Sequence, residues 1–223
     1  MLSLPNIITI SRILLVPVFA VLFAVPGAPA RIAAFVIFCI AGATDALDGL
    51  AARKLNAGSD FGRMLDPIAD KILVAVALMM LIAEGNLDHL TLYSWHGLRS
   101  LLKLVPALVI LSREILVSGL REFLAGAAVS VPVTRIAKAK TTIQMVAIGA
   151  MILDPLAWRW LPDNVATTYS LVAYVGFWVA AALTVGTGYA YFRAGLRHLH
   201  PRAARARQRR AELHSRRHAG EAV

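Results

Sequence analysis

Charge is scarce in this chain, and negative charge scarcer still. Of its 223 residues 16% are charged, and only 13 are Asp or Glu against 23 Lys or Arg. A soluble domain carries roughly a quarter charged residues and about half apolar ones. Here 58% are hydrophobic and the mean hydropathy is +0.67, which excludes an ordinary soluble globule and points to an integral membrane protein. Cysteine is nearly absent. Cys39 stands alone in an apolar run, so no intramolecular disulfide is available, and it reads as a small core residue. None of the six histidines forms a metal-ligating constellation with it. The N-terminus lacks a positively charged n-region and a small-residue cleavage site, so no cleaved signal peptide is expected. No Gly/Pro-rich linker separates a second domain. The chain is expected to divide into a membrane domain, 1–193, and a basic tail, 194–223, that is disordered or lipid-associated.

What is present comes in apolar blocks, each long enough to cross a hydrocarbon core of about 30 Å. Six spans are expected, at 10–25, 30–53, 63–82, 105–126, 134–153 and 168–192, with an irregular stretch between the third and fourth. The fold class is therefore an all-α membrane protein of six transmembrane helices. The residues before span one either form a short N-terminal interfacial helix or simply begin that span.

The net charge of +10 is unevenly placed: the tail from Ala194 onward holds eight arginines and two glutamates. A basic patch can signal nucleic acid, but on a polytopic membrane protein it fits charge retained in the cytosol beside anionic headgroups. No nucleic-acid partner is expected; membrane lipid is. With both termini cytosolic, the inner side holds Arg12, Arg53, Lys54, Arg63, Arg121, Arg135, Lys138 and Lys140. The outer side keeps only Arg31, Arg99, Lys103 and Arg159. Trp95, Trp158 and Trp160 fall near outer span ends, as interfacial anchors do.

Against this background four carboxylates stand out. Asp45 and Asp48 are three residues apart at the inner end of span two, and Asp66 and Asp70 four apart at the start of span three. Each pair shares a helix face. Asp45 lies about 21 Å of helix inward from Arg31, which puts the acids in the cytosolic third of the bilayer. An ionised group in lipid is costly unless paired, hydrated or metal-bound. Two facing pairs supply up to eight hard oxygen ligands, the set that Mg²⁺, Mn²⁺ or Ca²⁺ prefers. Gly49 and Ala52 leave the helix face bare for a bulky ligand, Gly58 and Gly62 permit the turn between spans, and Arg53 suits a phosphate. A proton or ion relay of a transporter would also place acids in a membrane, but does not call for small residues at fixed offsets around them.

The run Asp45-x-x-Asp48-Gly49-x-x-Ala52-Arg53, eight residues, then Gly62-x-x-x-Asp66-x-x-x-Asp70 resembles the signature of the CDP-alcohol phosphatidyltransferases, with every defined position met. The resemblance implies that family's six-helix fold and its reaction, in which an alcohol attacks the β-phosphorus of a CDP-linked lipid and CMP leaves. It implies Mg²⁺ or Mn²⁺, two ions, held by Asp45, Asp48 and Asp66. Asp70 would act as catalytic base and second-metal ligand. Gly49, Ala52, Arg53 and Gly62 would line the CDP and diphosphate pocket, with Asn6 beside the nucleotide.

Three further segments, at 4–12, 112–122 and 137–145, resemble the branch of the family that uses sn-glycerol 3-phosphate as acceptor and CDP-diacylglycerol as donor. Such a dianionic acceptor needs fixed cations. Arg121 ends span four and Lys138 opens span five on the cytosolic side, which makes them the expected acceptor-phosphate clamp; Arg113 and Lys140 rank behind them. Arg113 sits about two turns deeper, where pairing with Glu114 is the competing reading. Lys71 reads as lowering local negative charge. The expected product is phosphatidylglycerophosphate, at a bacterial inner membrane. The rivals are another headgroup transferase such as cardiolipin synthase, and a cation or proton transporter. The sequence leaves homodimerisation open.

Overall fold

The computed structural model describes the backbone of residues 4–55, 60–84, 95–126 and 135–220. Side chains are described for the same residues except 4–6, 45–55, 60–64, 66, 67, 70, 95–100, 125, 126, 135–138, 190 and 194–220. Among the described residues every regular element is a helix: α1 (Leu4–Ala24), α2 (Ala28–Leu55), α3 (Asp60–Glu84), α4 (Trp95–Gly126), α5 (Arg135–Trp160) and α6 (Asp163–Gly220). Three segments are apolar and long enough to cross a membrane: Ile7–Ala24, Ala139–Trp160 and Asp163–Arg193. Ala28–Thr44 is a shorter apolar stretch.

The helices close into a ring: α1 packs on α2, α2 on α5, α5 on α6, α6 on α4, α4 on α3 and α3 back on α1. Lesser contacts of α3 with α2 and α5 cross its interior. The core is built where α1, α2, α3, α5 and α6 turn aromatic and branched residues inward, with Phe19, Phe38, Leu78, Ile148, Met151 and Phe177 fully enclosed. The outward faces are equally apolar. Leu116, Val146, Leu171 and Val172 are each more than 60% exposed. A surface of that kind has no place in water and is at home in lipid; the protein is a membrane protein.

The α1–α2 connection is tight. Gly27 adopts φ +120°, a conformation side-chain-bearing residues rarely take, and its carbonyl accepts from Arg31 N at 3.2 Å. That turn delivers Arg31 to the end of the bundle. There its guanidinium lies 3.9 Å from the Phe23 ring centroid and donates to Glu84 of α3. One arginine thus ties α1, α2 and α3 together at a single height.

Of the two readings of the segment before span one, the described residues fit the second: Leu4–Ala24 is one continuous helix, because nothing between Asn6 and Ile10 interrupts the backbone ladder. The expected elements differ from the observed ones in two places. Helix α4 begins at Trp95, about ten residues before the expected span, since Leu98 to Leu104 continue a helix-forming run. Helix α6 continues past the expected end of span six, through Ala194 to Gly220. The tail is rich in Ala, Arg, Gln and Leu, all good helix formers.

Replacing Arg31 by Met should lower unfolding stability in detergent by about 2 kcal/mol, because Glu84 would be left partly buried without its cation. A thermal-unfolding midpoint equal to that of the wild type would show the pair to be dispensable.

Candidate active site

The Arg31–Glu84 contact sets the register of α2 against α3. Fourteen residues separate Arg31 from Asp45 along α2, and fourteen separate Glu84 from Asp70 along α3. At 1.5 Å per residue both positions fall about 21 Å from the ion pair. Asp48 and Asp66 follow at about 25 and 27 Å. Two antiparallel helices in contact therefore bring two acid-bearing turns to matched heights at the same end of the bundle. The side chains of Asp45, Asp48, Asp66 and Asp70 lie outside the described residues, as do those of Gly49, Ala52, Arg53, Gly62 and Asn6. Their backbone places Gly49, Ala52 and Arg53 on α2 with the first acid pair, Gly62 on α3 with the second, and Asn6 on α1. Among the described side chains no three His, Cys, Asp or Glu converge. The donor set of the four positions, carboxylates on two neighbouring helices, is nonetheless the one a hard divalent cation requires.

Cations surround this end of the bundle in two tiers. Arg121 is exposed at the end of α4, and Lys138 lies on the first turn of α5, its side chain outside the described set. The second tier lies deeper and is fully engaged. Arg113 donates from Nε to the Thr184 carbonyl at 3.1 Å, from one terminal nitrogen to Thr187 Oγ1 at 3.1 Å, and from the other to Glu114 at 3.2 Å. A Cβ at position 188 would come within 2.9 Å of Arg113 Cγ, so Gly188 is what lets the arginine lie flat on α6. Lys140, 4% exposed, donates to the same Glu114 oxygen that Arg113 uses. Lys71, next to Asp70, donates to Ser118 of α4.

Glu114 is thus the hub where α4 meets α5, and Arg113 beside it binds α6. These contacts enclose a cavity of about 190 Å³ between α3, α4 and α5, lined by Lys71, Glu114, Lys140, Thr141 and Gln144 among others. On α1, which packs on both acid-bearing helices, Thr9 and Arg12 are each about 1% exposed and each has an interaction partner. A guanidinium 1% exposed in a bundle of this kind needs anionic or carbonyl company.

The clamp candidates therefore separate. Arg113 and Lys140 have protein partners and hold helices together. Arg121 stands at the open end, on the same side as Lys138. Sequence reasoning gave Glu114 no role of its own and missed Ser118 and Gln144. The available signal was the charge of Glu114 inside an apolar run, four residues before a serine on the same helix face.

The family model for CDP-alcohol phosphatidyltransferase matches residues 2–186. The chain is 42% identical over 192 residues to a protein of Rickettsia typhi, covering 86% of this chain and 96% of the relative. It is 39% identical over 201 residues to one of Pseudomonas fluorescens, covering 88% and 92%, and 40% identical over 194 residues to one of Salmonella typhi, covering 86% and 94%. All three carry the name CDP-diacylglycerol–glycerol-3-phosphate 3-phosphatidyltransferase. This chain belongs to the CDP-alcohol phosphatidyltransferase family.

The hub generates a double-mutant prediction. Glu114→Ala should destabilise the protein by about 3 kcal/mol, since it removes the carboxylate to which the buried Lys140 ammonium donates, and adding Lys140→Met should recover most of that loss. Unfolding midpoints of the two single variants and the double variant measure the coupling. Additive losses would mean that the pair is not coupled.

Proposed function

We propose that this protein transfers the phosphatidyl group of CDP-diacylglycerol to sn-glycerol 3-phosphate, forming phosphatidylglycerophosphate and releasing CMP. The observation that carries this reading is the register of α2 and α3, which brings the two acid pairs to one height. Relatives of some 40% identity that bear the corresponding name support it.

Asp45, Asp48 and Asp66 would hold divalent cations, Mg²⁺ or Mn²⁺, with Asp70 as a second-metal ligand. Bound there, the ions supply charge neutralisation along the diphosphate and polarise the phosphoryl group under attack. The chain's own residues do the rest. Asp70 accepts the proton of the acceptor hydroxyl as its oxygen bonds to the β-phosphorus and the bond to the CMP oxygen breaks. The bare surface at Gly49, Ala52 and Gly62 admits the nucleotide, Arg53 pairs with its phosphates and Asn6 borders the base. Arg121 and Lys138 grip the acceptor phosphate. An uncharged acceptor would leave both of these cations without a phosphate to bind.

In this reading all six helices cross a bacterial inner membrane, with both termini and the acids at the cytosolic face, where a lipid-borne CDP group and a water-soluble phosphate meet. Residues 1–193 form the catalytic unit. The helical tail, 194–223, rests its arginines on anionic headgroups.

The test is CMP release by the purified protein from CDP-diacylglycerol with Mg²⁺ and a panel of alcohols. Release should depend on glycerol 3-phosphate; release without that preference would sink the acceptor assignment, and no release with any alcohol would sink the class. Asp70→Asn should lower turnover by about 10³-fold or more while donor binding persists, and near-normal turnover would remove Asp70 as base. Lys138→Ala should raise the acceptor KM about tenfold with little change in kcat, and an unchanged KM would take it out of the clamp.

A further inference from the structure

Beyond the acids, a second open feature lies between α2 and α5. It is a groove of about 550 Å³ whose walls include Phe35, Cys39, Ala43, Val146, Gly149 and Leu153. Two close approaches shape its floor. A Cβ on Gly42 would come 2.6 Å from Met145 Cε, and one on Gly149 would come 3.2 Å from Phe35 Cε2, so glycines let these larger side chains lie across from one helix to the other. Val146 is 68% exposed on its rim, which opens it sideways to lipid.

Its placement is informative. The cytosolic end, at Ala43 and Thr142, lies two residues along α2 from Asp45. The far end, at Phe35 and Leu153, lies about 12 Å away along α2 and about 16 Å along α5. One leaflet of hydrocarbon is about 15 Å deep. The groove therefore starts near the height of the acids, and its length is about the depth of one leaflet of hydrocarbon.

We propose that this α2–α5 groove seats one acyl chain of the lipid donor, so that the chain's fixed path places the diphosphate at the acid pairs. This deepens the proposed reaction and rests on it. A larger apolar groove of about 910 Å³ runs between α4 and α6, but neither helix packs closely on α2. A chain leaving a headgroup at Asp45 reaches the α2–α5 groove without crossing the bundle. The chain gains no hydrophobic energy in passing from bilayer to groove, because both are hydrocarbon. What the groove supplies is van der Waals packing and a restricted orientation at the reacting end.

A CDP-diacylglycerol with a photoactivatable diazirine in one acyl chain tests this with the full-length protein in liposomes. Adducts located by mass spectrometry should concentrate at 35–43 and 141–153. Adducts concentrated on the α4–α6 groove, or spread evenly over lipid-facing residues, would overturn the proposal. Adducts in the α2–α5 groove with no CMP release in the presence of glycerol 3-phosphate would keep the groove as a lipid site and sink the reaction instead. Val146→Trp, which narrows the rim from a lipid-facing position, should raise the KM for a dioleoyl donor about fivefold and that for a dihexanoyl donor less than twofold. An equal rise for both donors would count against chain seating.

Discussion

The ion pair of Arg31 with Glu84 decides how α2 and α3 stand against each other, and the functional end of the molecule depends on that register. A slip of one helical turn would shift one acid pair about 5 Å along the axis from the other. In water such a pair would be a weak constraint. Between apolar helices its partners are partly withdrawn from solvent, and breaking it strands a charge. The turn at Gly27 and the Phe23 ring keep Arg31 in place, so an irregular connection at one end of the bundle governs the chemistry at the other.

A second layer of buried charge does similar work across the remaining helices. Glu114 draws Lys140 of α5 onto α4, while Arg113 reaches α6 through Thr184 and Thr187. Four of the six helices are tied by Arg113, Glu114, Lys140 and Lys71, all in the half of the bundle that holds the acid positions. This answers the composition. A chain with few charges keeps several of them inside lipid, where each must find a partner, and those partnerships become the bolts of the bundle.

Much of this was legible in the sequence. The acid-bearing helices were visible because Asp45, Asp48, Asp66 and Asp70 carry helical spacing within apolar blocks, and a 3.6-residue period survives any tertiary arrangement. The joining of α1 to the segment before it was not legible, since Asn6, Thr9 and Arg12 suit an interfacial helix as well as the start of a span. The extent of α6 was hidden for a different reason. Charge density in the tail argues for solvent, while its Ala and Arg content favours helix, and composition alone does not rank the two. The pairing of Arg113 with Glu114 was already a reading of the sequence, whereas charge and order along the chain do not reveal that Thr187 also engages Arg113 or that Lys140 donates to the same Glu114.

By itself the sequence determined the membrane environment, the helical class and the spacing of the acid signature, all properties of neighbouring residues along one helix or of overall composition. Only the tertiary structure decided which helices touch, at what height the two acid-bearing turns face each other, which cations are bound within the protein, and that a groove one leaflet deep opens beside Asp45. Those features depend on contacts between residues tens of positions apart, such as Arg31 with Glu84, and no local pattern carries such pairings.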